Sequence, residues 1–475
     1  MDIQLVKGTH DIINKEARFY QSIESLFISL AELYGYNEYR TPIIEYSELF
    51  KRDEKDSSDM VRKQMYTFKD LADRSITLRP EGTASVARAI VNNKIYAEND
   101  YPIKAYYCGP VFRYERPKAG TYRQFTQFGI ENIGLDSVYA DVETIIISYR
   151  ALKMLGFNNI KLKINCLGDE ESRSKYKDAL VKYFTPHLPK MCLDCQERIK
   201  LNPLRILDCK SSEDQKLVKL APKMSEYLSD TSKDRFNKTL KLLEQVKIPY
   251  EIDNNLVRGL DYYSHVVYEY EYITKSGLNV GALGGGGHYD NLINEVGGPK
   301  LAGVGFAVGI ERIYNLLKDE NLLPNIDDGF DFYVMPIGEE CINSAFIIAD
   351  YLRMLGYKTE AIIEKKSFKA LFHKAEKGNA KYAIIIGENE IKNNQLVIKD
   401  MKTQEQTTIK TKDLEVYCDN LFTQESHSCS CHEDDHECHC HEEGHECHCH
   451  DKKEEQENND TEMCCEGGVC HLKKK

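Results

Sequence analysis

The chain has 475 residues, 41% hydrophobic and 29% charged. That is enough for two or three domains with apolar cores, and no apolar run reaches bilayer-spanning length. Its net charge of −13 is uneven. Residues 423–475 hold 15 acidic against 5 basic side chains, a net of −10, so the other 422 residues carry −3 and a nucleic-acid partner is not excluded. Nine of the 16 cysteines lie in that same tail and the rest are scattered, unlike a disulfide framework; MDIQLVKGTHDI has no basic start followed by an apolar stretch, so a reduced, cytoplasmic setting is expected.

The spacing of Phe19, Ile23, Phe27 and Leu30, with Leu26 and Leu33 beside them, predicts a helix over 15–35 that stops at Gly35. Pro42 inside the next apolar stretch predicts an edge strand or a strand that starts at the proline. LRPEGTASVARAI (78–90) places Glu81 and Thr83 just before an apolar helical run, where capping by Thr83 would explain the same residues. Two strands follow over 101–115 and 124–134, joined by the basic loop RPKAGTY. Alternation sets Arg113 and Glu115 on one face of the first, and Gln127, Gly129 and Glu131 on one face of the second. Arg113 and Arg123 have the fork geometry that clamps phosphates, and Glu131 suits a cationic group, although strands also expose such residues without any ligand.

A helix over 137–156 ends at Gly156. Residues 170–248 are Lys-rich and largely helical, and read as an inserted subdomain, because strand patterning resumes at LVRGLDYYSHVVYEY and continues through VGALGGGGHYDNLI. In the first of these Arg258 precedes Asp261, Tyr262 and Tyr263, as it would in a turn entering an aromatic strand. In the second, Gly284 to Gly287 permit very close backbone approach, without the Gly-Lys-Ser/Thr of a P-loop. GVGFAVGIERIYNLL runs from strand or turn into a helix that Arg312 opens. The pattern is that of an α+β domain on a mainly antiparallel sheet. After DDGF (327–330) it changes to βαβαβ with a hairpin and a last helix, a small α/β domain with a largely parallel sheet. The expected domains are 1–326, with the insertion at about 170–250, then 327–422, and a tail over 423–475.

Two smaller signals are ambiguous. Cys192-x-x-Cys195 with Cys209 has the start of a zinc knuckle, but a fourth ligand is not apparent, with His187 and the more distant Cys166 as candidates. Ordinary buried or loop thiols are the expectation there. KMSE (223–226) echoes half of a class I ATP loop and lacks its HIGH-type partner, which makes it a coincidence.

The tail is a nine-residue repeat: HSCSCHEDD, HECHCHEEG, HECHCHDKK. Its candidate ligands are Cys429, Cys431, His432, His436, Cys438, His439, Cys440, His441, His445, Cys447, His448, Cys449 and His450. Such thiolates and imidazoles suit Zn, Cu or Ni without selecting among them. With almost no aliphatic residues the tail cannot bury a core and is expected to be disordered without metal.

In order and combination these stretches resemble the bacterial type of histidyl-tRNA synthetase, a class II aminoacyl-tRNA synthetase, over about residues 1–422. TPIIE, FRYERP through QFTQFG, and GFAVGIERI resemble the three class II motifs; LVRGLDYY and GGGGHYDNL resemble signatures of the histidine enzymes, and NPLRILDCK fits their insertion. The resemblance implies an antiparallel class II catalytic domain, a C-terminal anticodon-binding domain, and a homodimer. It implies formation of histidyl-adenylate from L-histidine and ATP with Mg2+, then transfer to the 3′ end of tRNA(His). By motif position Arg113 and Arg258 act on the α-phosphate as catalytic residues, with Glu115, Arg123 and Arg312 also on ATP. Glu81, Thr83 and Gln127 receive the α-ammonium group, while Glu131 and Tyr263, with Tyr262 beside them, read the imidazole. Lys365, Lys366, Lys369 and Lys374 offer phosphate contacts to tRNA, or form a solvated helix face. Lys118, Thr121 and His288 depart from the usual pattern, the first two in the loop that meets ATP and the acceptor end. Two other readings are weaker: the regulatory paralogue of ATP phosphoribosyltransferase typically lacks the anticodon domain and some site residues kept here, and a metal-storage protein would explain the tail alone.

Overall fold

The computed structural model describes residues 3–52, 58, 60–98, 101–116, 120–426, 461–466 and 469–474. By contacts it divides into two compact units, Met1–Pro324 with Asp460–Lys475, and Asn325–Asn459.

The first unit opens on helix α1 (Asn14–Leu33), whose Ile23, Leu26, Phe27 and Leu30 are buried at helical spacing, and Gly35 follows it with φ +78°. Leu33, expected on the apolar stripe, is exposed. Strand β1 (Asn37–Glu38) follows, and β2 (Ile44–Tyr46), β3 (Tyr66–Lys69) and β4 (Ser75–Leu78) form a small sheet; as for the two readings of Pro42, β2 is an edge strand and starts two residues after the proline. Next come helix α2 (Thr83–Asn92), strands β5 (Ile103–Phe112) and β6 (Gln124–Ile133), helix α3 (Val138–Met154) and strand β7 (Ile160–Cys166). Ser137 caps α3 through its side chain, and Gly156, φ +90°, ends the turn after it.

Helices α4 (Glu170–Phe184), α5 (Leu193–Leu201), α6 (Ser212–Val218) and α7 (Asp230–Gln245) make the insertion. It has its own apolar cluster, including Tyr176, Phe184, Cys195, Ile206 and Cys209. Helix α7 returns to the main core through Leu240 and Leu243. Strands β8 (Tyr250–Ile252), β9 (Ser264–Ile273), β10 (Asn279–Tyr289) and β11 (Gly303–Gly309) follow, with helix α8 (Leu292–Glu295) between the last two and α9 (Ile310–Asp319) after them.

Eight strands form one sheet in the order β1-β5-β6-β11-β10-β9-β7-β8, antiparallel except where β1 meets β5 and β7 meets β8. The register makes two rows across four strands: Glu269–Gly285–Ala307–Gly129, and Val267–Gly287–Gly305–Glu131. These rows lie two residues apart, so they share one face. The alternate residues Phe128, Ile130, Tyr268, Tyr270 and Phe306 enter the main core with α1 and α3. One face is therefore apolar and packed, and the other is a floor of glycine and alanine from which a few polar side chains rise.

Two strand expectations end differently. The first strand of the 101–134 pair stops at Phe112, because Glu115 N–H turns back onto the Arg113 carbonyl at 2.8 Å. The strand expected from Leu256 starts only at Ser264, and Arg258 to Tyr263 form an irregular loop before it.

The second unit holds β12 (Phe332–Pro336), α10 (Ile342–Met354), β13 (Thr359–Ala361), α11 (Phe368–Lys377), β14 (Tyr382–Ile386), α12 (Glu388–Lys392), β15 (Gln395–Asp400), β16 (Gln406–Lys410) and α13 (Leu414–Ser426). Its sheet order is β13-β12-β14-β15-β16; β12 is parallel to both neighbours, and β15 and β16 add an antiparallel hairpin. Most of the predicted tail, with every candidate ligand from Cys429 to His450, lies outside the described residues. Within it Thr461–Glu466 pairs antiparallel with Val469–Lys474.

Candidate active site

The loop before α2 and the glycine floor of the sheet meet at a cluster of buried polar groups. Glu81 accepts the N–H groups of Thr83 (2.6 Å) and Ala84 (2.9 Å), so this carboxylate closes the first turn of α2. Thr83 therefore does not cap the helix with its side chain. Its hydroxyl donates to Glu131 Oε1 at 2.6 Å. Gln127 Oε1 accepts Gly82 N–H at 3.0 Å and lies 3.3 Å from the Tyr107 hydroxyl. The Tyr289 hydroxyl donates to Glu131 Oε2 at 2.8 Å. Tyr262 packs between Tyr263 and Tyr289, with ring centroids 4.8 and 5.6 Å away.

Glu131 is 1% exposed, and burial pushes its carboxyl up to about 8, against the two hydroxyl donors. Nearness of the backbone makes this placement achievable. A Cβ at Gly305 would collide with the Glu131 carboxylate, so the floor must be glycine under it.

Beside this cluster a cavity of about 200 Å³ is lined by Arg113, Glu115, Thr121, Arg258 and Arg312 along with Gly284 and Gly309. Arg113 Nε is held by the Pro80 carbonyl (2.8 Å), Arg312 Nη2 by the Val280 carbonyl (2.6 Å), and Arg258 Nη1 by Glu269 Oε2 (2.6 Å). Each guanidinium is thus oriented by one bond and keeps further N–H groups for a ligand. Arg258 Nε has no partner among the described residues. A Cβ on Gly285 would come within 2.7 Å of Arg258 Nη1, so the glycine run also makes room for this arginine. Three arginines converge on a cavity whose two lining carboxylates are Glu115 and Glu311, the latter already accepting the Thr126 N–H; beside a pocket of buried carboxylates, this can bind a polyanion next to a small cation.

The structure gathers the residues expected at the histidine pocket into one connected cluster, and four of the five expected at ATP around one cavity. Arg123 stands apart: its guanidinium stacks 3.9 Å from the Tyr114 ring centroid and donates to the Glu115 carbonyl, so it braces the loop without lining the cavity. Lys118 lies outside the described residues. His288 faces away from the arginine cavity. It is fully buried, with Nδ1 2.7 Å from Asp141 and Nε2 3.2 Å from Asp290, and Arg235 pairs with the other Asp141 oxygen at 2.9 Å. Burial opposes its charge, but Asp141 and Asp290 raise His288 to about 9.

Glu269, Tyr289 and Tyr107 are absent from the sequence expectations. Glu269 had a signal: in VVYEYEYI the tyrosines alternate inward, which turns Glu269 onto the opposite face. Tyr289 and Tyr107 had none, because their role depends on the partners that the fold brings. In the insertion, Cys192, Cys195 and Cys209 come together with Asp214, while neither His187 nor Cys166 joins them.

The comparisons with known proteins agree across most of the chain. A family model described as histidyl-tRNA synthetase matches residues 8–313, and one described as an anticodon binding domain matches 331–421. The histidine–tRNA ligase of Bacillus licheniformis is 44% identical over 409 residues, 86% of this chain and 96% of the relative. That of Bacillus cytotoxicus is 43% identical over 409 residues, covering 86% and 97%. The structure of apo histidyl-tRNA synthetase from S. aureus superposes with a TM-score of 0.76 at 36% identity, covering 88% of this chain and 99% of that one.

Proposed function

The chain belongs to the histidyl-tRNA synthetase family and is a histidine–tRNA ligase, and we propose that the two adjoining pockets divide its substrates between them. Histidine occupies the buried cluster. Glu81, Thr83 and Gln127 face its α-ammonium group, and Glu131 and Tyr263, supported by Tyr262, face the imidazole. A neutral imidazole has one N–H and one lone pair, so a carboxylate and a phenol satisfy both. An apolar isostere would leave them unpaired, which is the source of discrimination.

ATP occupies the arginine cavity. The histidine carboxylate attacks the α-phosphorus and diphosphate leaves; Arg113 and Arg258 stabilise the charge that grows on the α-phosphate oxygens, and Arg312 holds the γ-phosphate. Mg2+ arrives with the nucleotide and neutralises phosphate oxygens. The tRNA(His) 3′ hydroxyl then attacks the adenylate carbonyl and AMP leaves. The single observation that carries this reading is the set of three backbone- or carboxylate-oriented arginines around one cavity, adjoining the only buried Glu81–Glu131 cluster among the described residues.

The remaining partners follow the same way. Ile43, Ile44, Tyr46 and Phe68 are exposed on the small sheet and its approach, which supports a homodimer formed there. Lys365, Lys366, Lys369 and Lys374 stand exposed or half-exposed in the second unit and fit tRNA phosphates; Lys366 and Lys374 share Glu364 meanwhile. No helix among the described residues is long and apolar enough to cross a membrane, and a cytoplasmic location fits the seven free body cysteines. The tail is proposed to hold Zn, Cu or Ni.

Histidine-dependent ATP–diphosphate exchange tests the assignment. Arg258→Ala should lower exchange by at least 10²-fold while histidine still binds by calorimetry. Near-normal exchange in that variant would remove Arg258 from the mechanism.

A further inference from the structure

We propose that Cys192, Cys195, Cys209 and Asp214 form a structural Zn2+ site in the insertion, and that this site steadies the Arg258 loop. The ligand atoms of all four lie within 4.8 Å of one another. Cys192 Sγ and Cys209 Sγ are 3.7 Å apart, and Cys209 Sγ is 3.3 Å from Asp214 Oδ2. Tetrahedral zinc, with Zn–S of about 2.3 Å and Zn–O of about 2.0 Å, requires S–S edges of about 3.8 Å and slightly shorter S–O edges. The Cys192–Cys209 and Cys209–Asp214 spacings are close to such edges, and the remaining pairs lie within 4.8 Å. A disulfide would need the two sulfurs at about 2.05 Å, and would leave Cys195 and Asp214 without a role.

The surroundings are those of a closed structural centre. Cys195 and Cys209 are 0% and 4% exposed, and Asp214 is 1% exposed. Backbone N–H groups point into the cluster: Ser211 to Cys209 Sγ at 3.4 Å, and Cys192 to the Asp214 carboxylate at 3.2 Å. Such donors hold ligand orientation around a metal. Binding would displace three thiol protons, giving one Zn2+ held by three thiolates and one carboxylate. The soft, four-ligand set favours Zn2+ among divalent ions.

The site closes the ends of a segment whose middle touches the catalytic loop. Between Cys195 and Cys209, Asn202 Nδ2 donates to Asp261 Oδ1 at 3.0 Å, and Arg205 Nη1 donates to the Arg258 carbonyl at 2.7 Å. Asn202 and Arg205 are positioning residues by this geometry. This second part rests on the role proposed for Arg258; metal binding itself does not.

The test uses the full chain, purified reduced, with alkylation mapped peptide by peptide so that tail cysteines are read separately. Cys192, Cys195 and Cys209 should be protected as isolated. They should react at least tenfold faster after treatment with a strong chelator, and regain protection with Zn2+, while Cys341 and Cys418 do not respond. The Cys209→Ser chain should hold one zinc less than the wild type. Equal zinc in both chains, alkylation indifferent to the chelator, or a Cys192–Cys209 disulfide in the metal-free protein as isolated would overturn the site. If the site stands, its removal should lower the kcat of exchange more than it raises the histidine KM. An unchanged kcat would overturn the link to the Arg258 loop and leave the zinc site in place.

Discussion

Glu131 shows how a single residue can be both costly and useful. Its burial raises the carboxyl to about 8, far above an ordinary glutamate. The folded value exceeds the unfolded one, so the empty protein loses stability as pH rises from about 4.5 through about 8. A cationic or N–H donating ligand removes that cost. Histidine affinity is therefore expected to rise with pH between about 6.5 and 8, approaching tenfold per unit, and to flatten above 8. Calorimetry across that window checks it. Glu131→Gln should abolish the slope, weaken binding, and raise the melting temperature of the empty protein at pH 8. A pH-independent wild-type affinity would exclude Glu131 as the imidazole acceptor.

The sheet strands owe their usefulness to what they lack. On β10 and β11 the residues that face the site are Gly285, Gly287, Gly305, Ala307 and Gly309, so side chains from β6, β9 and the Arg258 loop can lie flat on backbone. Gly305→Ala places a methyl group against the Glu131 carboxylate. Displacing that carboxylate breaks its bonds with Thr83 and Tyr289, each worth about 1–3 kcal/mol when buried. A rise of at least tenfold in histidine KM is expected, with much smaller change in the ATP KM. Exchange kinetics on the folded variant decide it; equal effects on both substrates would mean that the floor merely fills space.

The whole chain joins a family body to an extension. The two family models match residues 8–313 and 331–421, so the Cys/His repeat lies outside both. A chain ending at Ser426 is expected to keep aminoacylation within about twofold of the full chain, because the site draws on residues of the first unit up to Arg312 and the tail has almost no apolar residues to bury. The full chain should bind additional metal that this shorter chain does not, measured by elemental analysis. Loss of aminoacylation, or identical metal content, would reverse the corresponding half.

What the sequence determined by itself was much of what local chemistry sets. Helical and alternating periodicity placed α1, α3, the antiparallel body and the βαβ unit. Motif order pointed to Glu81, Gln127, Glu131, Arg258 and Arg312 through the family it resembles. The tertiary structure alone decided what depends on contacts between distant segments. It showed that Thr83 donates to Glu131 rather than capping α2, that Arg123 stacks on Tyr114 away from the cavity, and that Glu269 orients Arg258. It also supplied Asp214 as the missing fourth group beside three cysteines, from the opening turn of a helix that no ligand-spacing rule would have joined to them. Periodicity and motifs report the conformation of neighbours along the chain, whereas a pocket or a metal site is made where the fold closes the distance between strangers.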